Sequence, residues 1–229
     1  MSPKAGDPQI RRALIDAAAR LLIQHGPDAL TTRRLGQEVG TSTMAIYTYF
    51  NGIKELRGAV AREGFARLGE WLDTVELTDD PVADLVAQGA AYFLNATANP
   101  HLYHFMFVER PPEDPDCGYE TFERCIAGCA RAVEAGRFAT ADPERLASQL
   151  WATTHGIVML HLAGMFTIEE ALDLSAEMGL NLFVAFGDDR DKARRSMEEA
   201  QARMLSRFQG EMAAANEPVA VGSADGGRT

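Results

Sequence analysis

The sequence predicts an all-α fold, in which a short-helix N-terminal unit is followed by a bundle of longer helices. Apolar residues recur every three or four positions through most of the chain, and no stretch alternates apolar and polar residues as a strand would. Three helix starts also carry the same signal, at Asp80-Pro81, Asn99-Pro100 and Asp142-Pro143. An Asp or Asn side chain caps a helix, and proline suits its first position. We therefore expect helices throughout and no sheet.

Composition narrows the class of protein. Hydrophobic residues make up 46% of the 229 residues, which is enough for a substantial core. No apolar run has the length of a membrane span, and the N-terminus lacks the apolar segment of a signal peptide. Three cysteines without a Cys-x-x-Cys pair are typical of a reducing compartment. We expect a cytoplasmic protein with no membrane partner.

The net charge of −11 is unevenly distributed along the chain. Residues 1–70 contain ten Lys or Arg and seven Asp or Glu, whereas the remainder contains twelve and twenty-six. Binding to phosphate groups requires a locally basic surface and not a basic protein. The acidic total therefore does not exclude nucleic acid as a partner of the N-terminal part.

The first helix is predicted from Pro8 to Gln24, with Asp7 as its cap. His25-Gly26-Pro27 would end it. One apolar stripe with helical spacing consists of Ile10, Ala13, Leu14, Ala17, Ala18, Leu21 and Leu22.

Residues 31–50 are predicted to form two short helices joined by a tight turn. Thr31 or Thr32 can cap the first helix, and Gly40 would end it in a left-handed conformation.

The second short helix has two distinct faces. Ile46 and Phe50 are four residues apart and are predicted to point inward, while Met44 and Thr48 point away from the core. The outer face is uncharged and small enough for close approach. A helix-turn-helix places such a face in the major groove of DNA.

This stretch resembles the TetR family of transcriptional repressors. The matching residues are Leu30–Arg33, Gly40, the run Ala45–Phe50 and Leu56, and the resemblance covers residues 8–68. It implies a three-helix DNA-binding domain over residues 8–68. The DNA-contacting residues that it implies are Thr32, Arg33, Thr43, Met44, Ala45, Tyr47, Thr48, Tyr49 and Lys54.

Two of these assignments leave alternatives open. Tyr49 either donates its hydroxyl to a phosphate or packs against the first helix. The family usually has a lysine three residues after the phenylalanine, but this chain has Ile53 there, followed by Lys54. Either Lys54 reaches the phosphate in its place, or the N-terminus of the fourth helix holds the phosphate alone.

The fourth helix is predicted from Asn51-Gly52 to Leu72, and the acidic loop 73–80 follows it as the domain boundary. Glycines within this helix mark either bending or close packing. The later helices are predicted at about 81–97, 100–108, 119–136, 143–164, 168–186 and 191–212, which together form the second domain, 80–212. The tail 213–229 is small, polar and aperiodic, so we expect it to be disordered.

The helices at 143–164 and 168–186 are long and apolar, and can pair with their own copies across a two-fold axis. We therefore expect a homodimer with a four-helix interface. Trp151, His155 and Gly156 form a Trp-x-x-x-His-Gly pattern, which is similar to that of one group of TetR ligand-binding domains, the WHG type.

A pocket for a small, largely apolar effector is expected in the second domain, although each candidate is also a reasonable core residue. The candidates are Tyr103, Phe105, Trp151, His155 and Met159. His101 and His104 are three apart on one helix, but no carboxylate or cysteine stands at a matching spacing. We expect no metal and no cofactor.

The resemblance therefore implies a homodimeric DNA-binding regulator, a repressor that an effector releases from a palindromic operator. An enzyme is not expected, because the phosphate-binding, nucleophile-elbow and metalloprotease motifs are absent from the sequence. The alternative is a helical protein-interaction adaptor that has lost specific DNA binding, which the departure at Ile53 leaves open.

Overall fold

The computed structural model describes residues 7–108, 116–139 and 141–215. Within these residues the secondary structure is helical, with no strand, which confirms the all-α prediction. The helices are α1 Pro8–His25, α2 Thr32–Val39, α3 Thr43–Tyr49, α4 Ile53–Asp73, α5 Pro81–Ala98, α6 Pro100–Val108, α7 Tyr119–Glu134, α8 Pro143–Leu162, α9 Ile168–Ala185 and α10 Arg190–Ala215. None of the described helices is both long enough and apolar enough to cross a membrane.

The predicted ends of the helices lie close to the observed ones. The last helix reaches Ala215, three residues beyond its predicted end, and the rest of the predicted tail lies outside the described residues. Asp7, Asp80 and Asp142 cap α1, α5 and α8, each accepting a hydrogen bond from the backbone N–H two residues later. The side chain of Asn99 instead accepts from the guanidinium of Arg67, at 3.0 Å.

The N-terminal core is built by α1 to α4 together with α6. More of α1 is buried than the predicted stripe, and Ile15 and Ala19 are fully enclosed. The broader burial follows from three neighbours, since α2, α4 and α6 all pack against α1. Leu102 and Phe105 of α6 belong to this core.

Close packing explains one of the glycines in α4. A Cβ atom on Gly64 would lie 2.5 Å from Cγ of Met106 in α6, a distance that real side chains do not tolerate. The corresponding neighbours of Gly58 and Gly69 are only the flexible ends of arginine side chains. At Gly64, therefore, the absence of a side chain allows α4 and α6 to approach.

The C-terminal bundle has two further cores. One joins the end of α4 with α5, α6, α8 and α9, and the other joins α5 with α7 to α10. Helix α5 contributes to both, so it is the central helix of the bundle.

The helices α8 and α9 keep an apolar surface exposed to solvent. Besides Trp151 of α8, the exposed large apolar side chains on and between these helices are Leu160, Met165, Ile168, Leu172 and Met178, at 37–68% of full exposure. We refer to these five residues as the α8–α9 face. A surface of this kind marks an interaction site in a soluble protein.

Candidate nucleic-acid interface and ligand site

The turn between α2 and α3 is closed by backbone contacts that require glycine. Thr31 caps α2 by accepting from the N–H of Arg34 at 3.2 Å, and Gly40 ends it at φ +71°. The N–H of Thr41 donates to the carbonyl of Gly36 at 2.8 Å. A Cβ atom on Gly36 would lie 2.8 Å from the carbonyl oxygen of Thr41, so a side chain there would push the two helices apart.

Helix α3 presents one face to the core and the other to solvent, as predicted. Ile46 is fully buried and Phe50, just after α3, is 2% exposed. On the opposite side Met44 is 72% exposed, with Thr48 also in solvent, and Tyr47 on the flank is 56% exposed. Two large, partly apolar side chains therefore stand in water on a helix of seven residues.

The other residues that the resemblance implies lie around this face, with different burial. Arg33 and Thr43 are exposed, Thr32 is half-buried, and Ala45 lies within α3. Tyr49 is half-buried against the N-terminal core, which favours its role in packing over a role in phosphate contact.

The start of α4 bears on the missing family lysine. Ile53 is the first residue of α4 and packs against the N-terminal core, whereas Lys54 is exposed. The carboxylate of Glu55 accepts from the N–H of Asn51 at 2.9 Å and brings a negative charge to this helix start. A phosphate held by the helix N-terminus alone would meet that charge, so the geometry favours Lys54.

A second group of candidate side chains connects three helices of the C-terminal bundle. The hydroxyl of Tyr103 is 2.7 Å from Nδ1 of His155 and 2.7 Å from the hydroxyl of Tyr92. The hydroxyl of Tyr92 is 3.2 Å from the same Nδ1 and accepts a hydrogen bond from Nε1 of Trp151 at 3.1 Å. We call these four residues the Tyr-His cluster; they join α5, α6 and α8.

The protonation states within the Tyr-His cluster follow from its burial. Burial raises the pKa of Tyr92 to about 12 and also raises the pKa of Tyr103, so both phenols keep their protons. Burial lowers the pKa of His155, so its imidazole is neutral at physiological pH. Two arrangements satisfy the three groups: Nδ1 accepts from a phenol and the ring proton is on Nε2, or Nδ1–H donates to the hydroxyl of Tyr103, which donates to that of Tyr92.

Aromatic rings surround the histidine. The ring of Phe107 lies 4.5 Å from that of His155, and the ring of Phe122 lies 5.4 Å from that of Trp151. On α5, the turn that precedes Tyr92 is less tightly packed. Residues 86–90 are only partly buried, and a Cβ atom on Gly89 would meet nothing within 4 Å.

The structure brings together three of the five predicted effector residues, namely Tyr103, Trp151 and His155. Met159 is half-buried in the core that contains Tyr103. Phe105 lies apart from these three, because it is fully buried in the N-terminal core. The side chains of two helical residues that are two positions apart differ by about 200° in direction. Tyr103 and Phe105 therefore point to opposite sides of α6.

Sequence reasoning missed Tyr92 and Phe122. Their partners come from other helices, so no local spacing distinguishes them from ordinary core residues. His101 and His104 lie on α6 as predicted, and among the described residues no three His, Cys, Asp or Glu side chains form a potential metal site.

Comparison with known proteins covers both halves of the chain. Residues 14–60 match the family described as bacterial regulatory proteins, tetR family, and residues 85–183 match the tetracyclin repressor-like C-terminal domain. The HTH-type transcriptional repressor AcnR of Corynebacterium efficiens is 36% identical over 72 residues. This match covers 31% of the chain and only 38% of AcnR.

Solved structures share the fold over most of the chain. A protein of unknown function from Rhodococcus sp. RHA1 is 25% identical, with a TM-score of 0.67 over 82% of this chain and 100% of that one. RolR in complex with resorcinol is 18% identical, with a TM-score of 0.56 over 82% of this chain and 93% of RolR. Both halves match the same family, and the matches take in well over half of the sequence. This chain therefore belongs to the TetR family of bacterial regulatory proteins.

Proposed function

We propose that this chain is a transcriptional repressor that binds a palindromic DNA operator in the cytoplasm. The observation that carries the proposal is the solvent-exposed side of α3, with Met44 opposite the buried Ile46 and Tyr47 on the exposed flank. A rigid helix whose outer face is uncharged can enter the major groove without a desolvation penalty for charge. The similarity to AcnR, which is a repressor, favours the same direction of regulation.

The DNA contacts divide by chemistry. Met44 suits apolar contact with thymine methyl groups, and the hydroxyl of Tyr47 suits phosphate oxygens. Arg33 can reach a base edge or a phosphate. The full set of proposed contacts remains Thr32, Arg33, Thr43, Met44, Ala45, Tyr47, Thr48, Tyr49 and Lys54, with Tyr49 the weakest because it is half-buried.

Two copies of the chain would bind one operator. We assign the α8–α9 face to the dimer contact, since its exposed apolar side chains would be covered by the same face of a second copy. The half-sites of the operator would then be separated by about 34–36 Å, or a multiple of that distance.

The effector would bind beside the Tyr-His cluster. With its ring proton on Nε2, His155 offers a neutral hydrogen-bond donor, and the rings of Phe107 and Trp151 offer apolar surface beside it. These groups suit a small, largely apolar molecule that carries one oxygen acceptor, while charged molecules would find no partner of opposite sign in the cluster. RolR, a fold relative, was crystallised with resorcinol, a small aromatic molecule bearing hydroxyl groups.

The proposal is tested by selecting bound sequences from a pool of random duplex DNA at two salt concentrations. A repressor should enrich one palindromic sequence, and its affinity should fall as the salt concentration rises. The absence of any enriched sequence would contradict the proposal and favour an adaptor without specific DNA binding.

Matched variants locate the interface. Tyr47→Ala and Arg33→Ala should abolish enrichment, because they remove exposed groups beside the proposed groove contact. Tyr119→Ala and Arg194→Ala remove the same residue types from exposed positions on α7 and α10, and should bind the operator like the parent protein. Equal effects of both pairs would place the interface elsewhere.

A further inference from the structure

Arg67 is a buried arginine with partners on three sides. Its side chain is 8% exposed, and Nη2 lies 2.9 Å from a carboxylate oxygen of Asp16 in α1. Nε lies 3.0 Å from the carboxylate of Glu63 one turn earlier in α4. Nη1 donates to Oδ1 of Asn99 at 3.0 Å. One guanidinium thus joins the first helix to the corner between α5 and α6.

The partners of Arg67 at both ends of this connection make further polar contacts of their own. Glu63 also lies 3.6 Å from Arg11 and 3.9 Å from Arg12, near the start of α1. At the other end, the amide of Asn99 donates to the backbone and side-chain oxygens of Asn95 in α5, at 3.2 and 3.1 Å.

The corner at Asn99 lies between the two phenols of the Tyr-His cluster. Tyr92 is seven residues before it on α5, and Tyr103 is four residues after it on α6. The two hydroxyls are hydrogen-bonded and so hold α5 to α6 beside this corner. A ligand that separates them removes this contact, and the two helices are then free to shift Asn99 relative to α4.

We propose that Arg67 is the positioning residue that couples the effector site to the DNA-binding helices, an inference that rests on the proposed function. A buried guanidinium that loses the Asn99 acceptor leaves an N–H without a hydrogen bond, which is unfavourable. Movement of Asn99 is therefore passed to Arg67, and from there to Asp16 and Glu63, instead of being absorbed at the corner. Helix α1 packs directly on α2, and α2 packs on α3. The displacement therefore reaches both helices of the proposed DNA-binding unit.

Coupling between two sites is reciprocal, so the inference can be tested without knowing the effector. Operator DNA, as found by the selection above, should change the hydrogen-exchange protection of residues 92–107. The parent protein should show this change on binding DNA. Asn99→Ala removes the link while Arg67 keeps both of its carboxylate partners, so this variant should fold and bind operator but lose the change.

Two further variants separate coupling from general destabilisation. Asn99→Asp restores an oxygen acceptor for Arg67 and should recover the change in protection. Arg124→Met removes another ion pair of α4, the 2.7 Å contact with Asp73, and should leave the change intact.

The outcomes distinguish the inference from the function beneath it. If selection yields no operator, the proposed function fails. If an operator is found but residues 92–107 do not respond to it in the parent protein, the coupling through Arg67 is overturned and the repressor remains. The same conclusion follows if Asn99→Ala responds as the parent protein does.

Discussion

The hydroxyl of Tyr103 lies 2.7 Å from Nδ1 of His155, and this contact ties α6 to α8 inside the C-terminal bundle. Burial lowers the pKa of His155 and keeps the imidazole in the neutral form. The folded protein therefore resists a protonation that the unfolded chain accepts.

We predict that acidification lowers the free energy of unfolding through His155. Its folded pKa lies below the ordinary histidine value of 6.5, so the unfolded chain binds the proton first as pH falls. The loss begins near the unfolded pKa and levels off once the folded histidine also protonates. Denaturant unfolding at about pH 7.5 and about pH 5, at a fixed protein concentration, measures the loss.

His155→Gln should show a smaller difference between the two pH values than the parent protein. Part of the difference should remain, because burial, Arg20 and His104 also lower the pKa of His101. An unchanged pH dependence in the variant would show that His155 is not among the responsible groups.

Two glycine substitutions should have opposite effects on stability. Gly36→Ala places a methyl group against the carbonyl of Thr41 and should cost roughly 1–3 kcal/mol, as overpacking does, and weaken DNA binding. Gly89→Ala adds a methyl group in open space within α5 and should stabilise by up to about 1 kcal/mol through helix propensity. Thermal or denaturant unfolding compares them, and shifts of the same sign would be inconsistent with the packing described.

Lys54 should replace the lysine that the family usually has at the position of Ile53. Lys54→Ala is expected to weaken binding to all sequences about equally and to reduce the salt slope of the affinity by about one. Fluorescence anisotropy titrations at several salt concentrations give this slope. Lys192→Ala, an exposed lysine on α10, serves as the control, and a slope that drops only in the control would refute the assignment.

A charge on the α8–α9 face should prevent dimer formation. Leu172 is 48% exposed, and Leu172→Glu would place a carboxylate in the proposed apolar contact, where it has no partner. Sedimentation velocity should then show monomers, with loss of binding to the palindrome. Leu77→Glu alters a 61% exposed leucine in the loop before α5 and should remain dimeric. A dimeric Leu172→Glu protein would mean that another surface forms the dimer.

Features that depend on neighbours in the sequence were predictable. The capping aspartates Asp7, Asp80 and Asp142 act within two or three residues of themselves, so the sequence alone locates them. The two faces of α3 follow equally from helical spacing, with Ile46 inside and Met44 outside.

Features that depend on which helices meet were not predictable from spacing. Asn99 has the same Asx-Pro signal as the caps, yet its side chain bonds to Arg67, thirty-two residues away. Phe105 has an ordinary apolar neighbourhood, and only the packing of α6 on α1 assigns it to the N-terminal core. Tyr92 gains its polar role from Trp151 and Tyr103, on two other helices.

The uneven charge of the chain has a consequence for the speed of binding. The excess of basic residues in residues 1–70 and the strong acidic excess beyond them give each molecule a large electric dipole along its length. The field of DNA would repel the acidic end and turn the basic end toward the phosphates before contact. A larger share of encounters with DNA would then occur in the orientation that allows binding. The association rate should therefore fall with added salt, as the field that orients the molecule is screened over a Debye length of about 10 Å at 0.1 M.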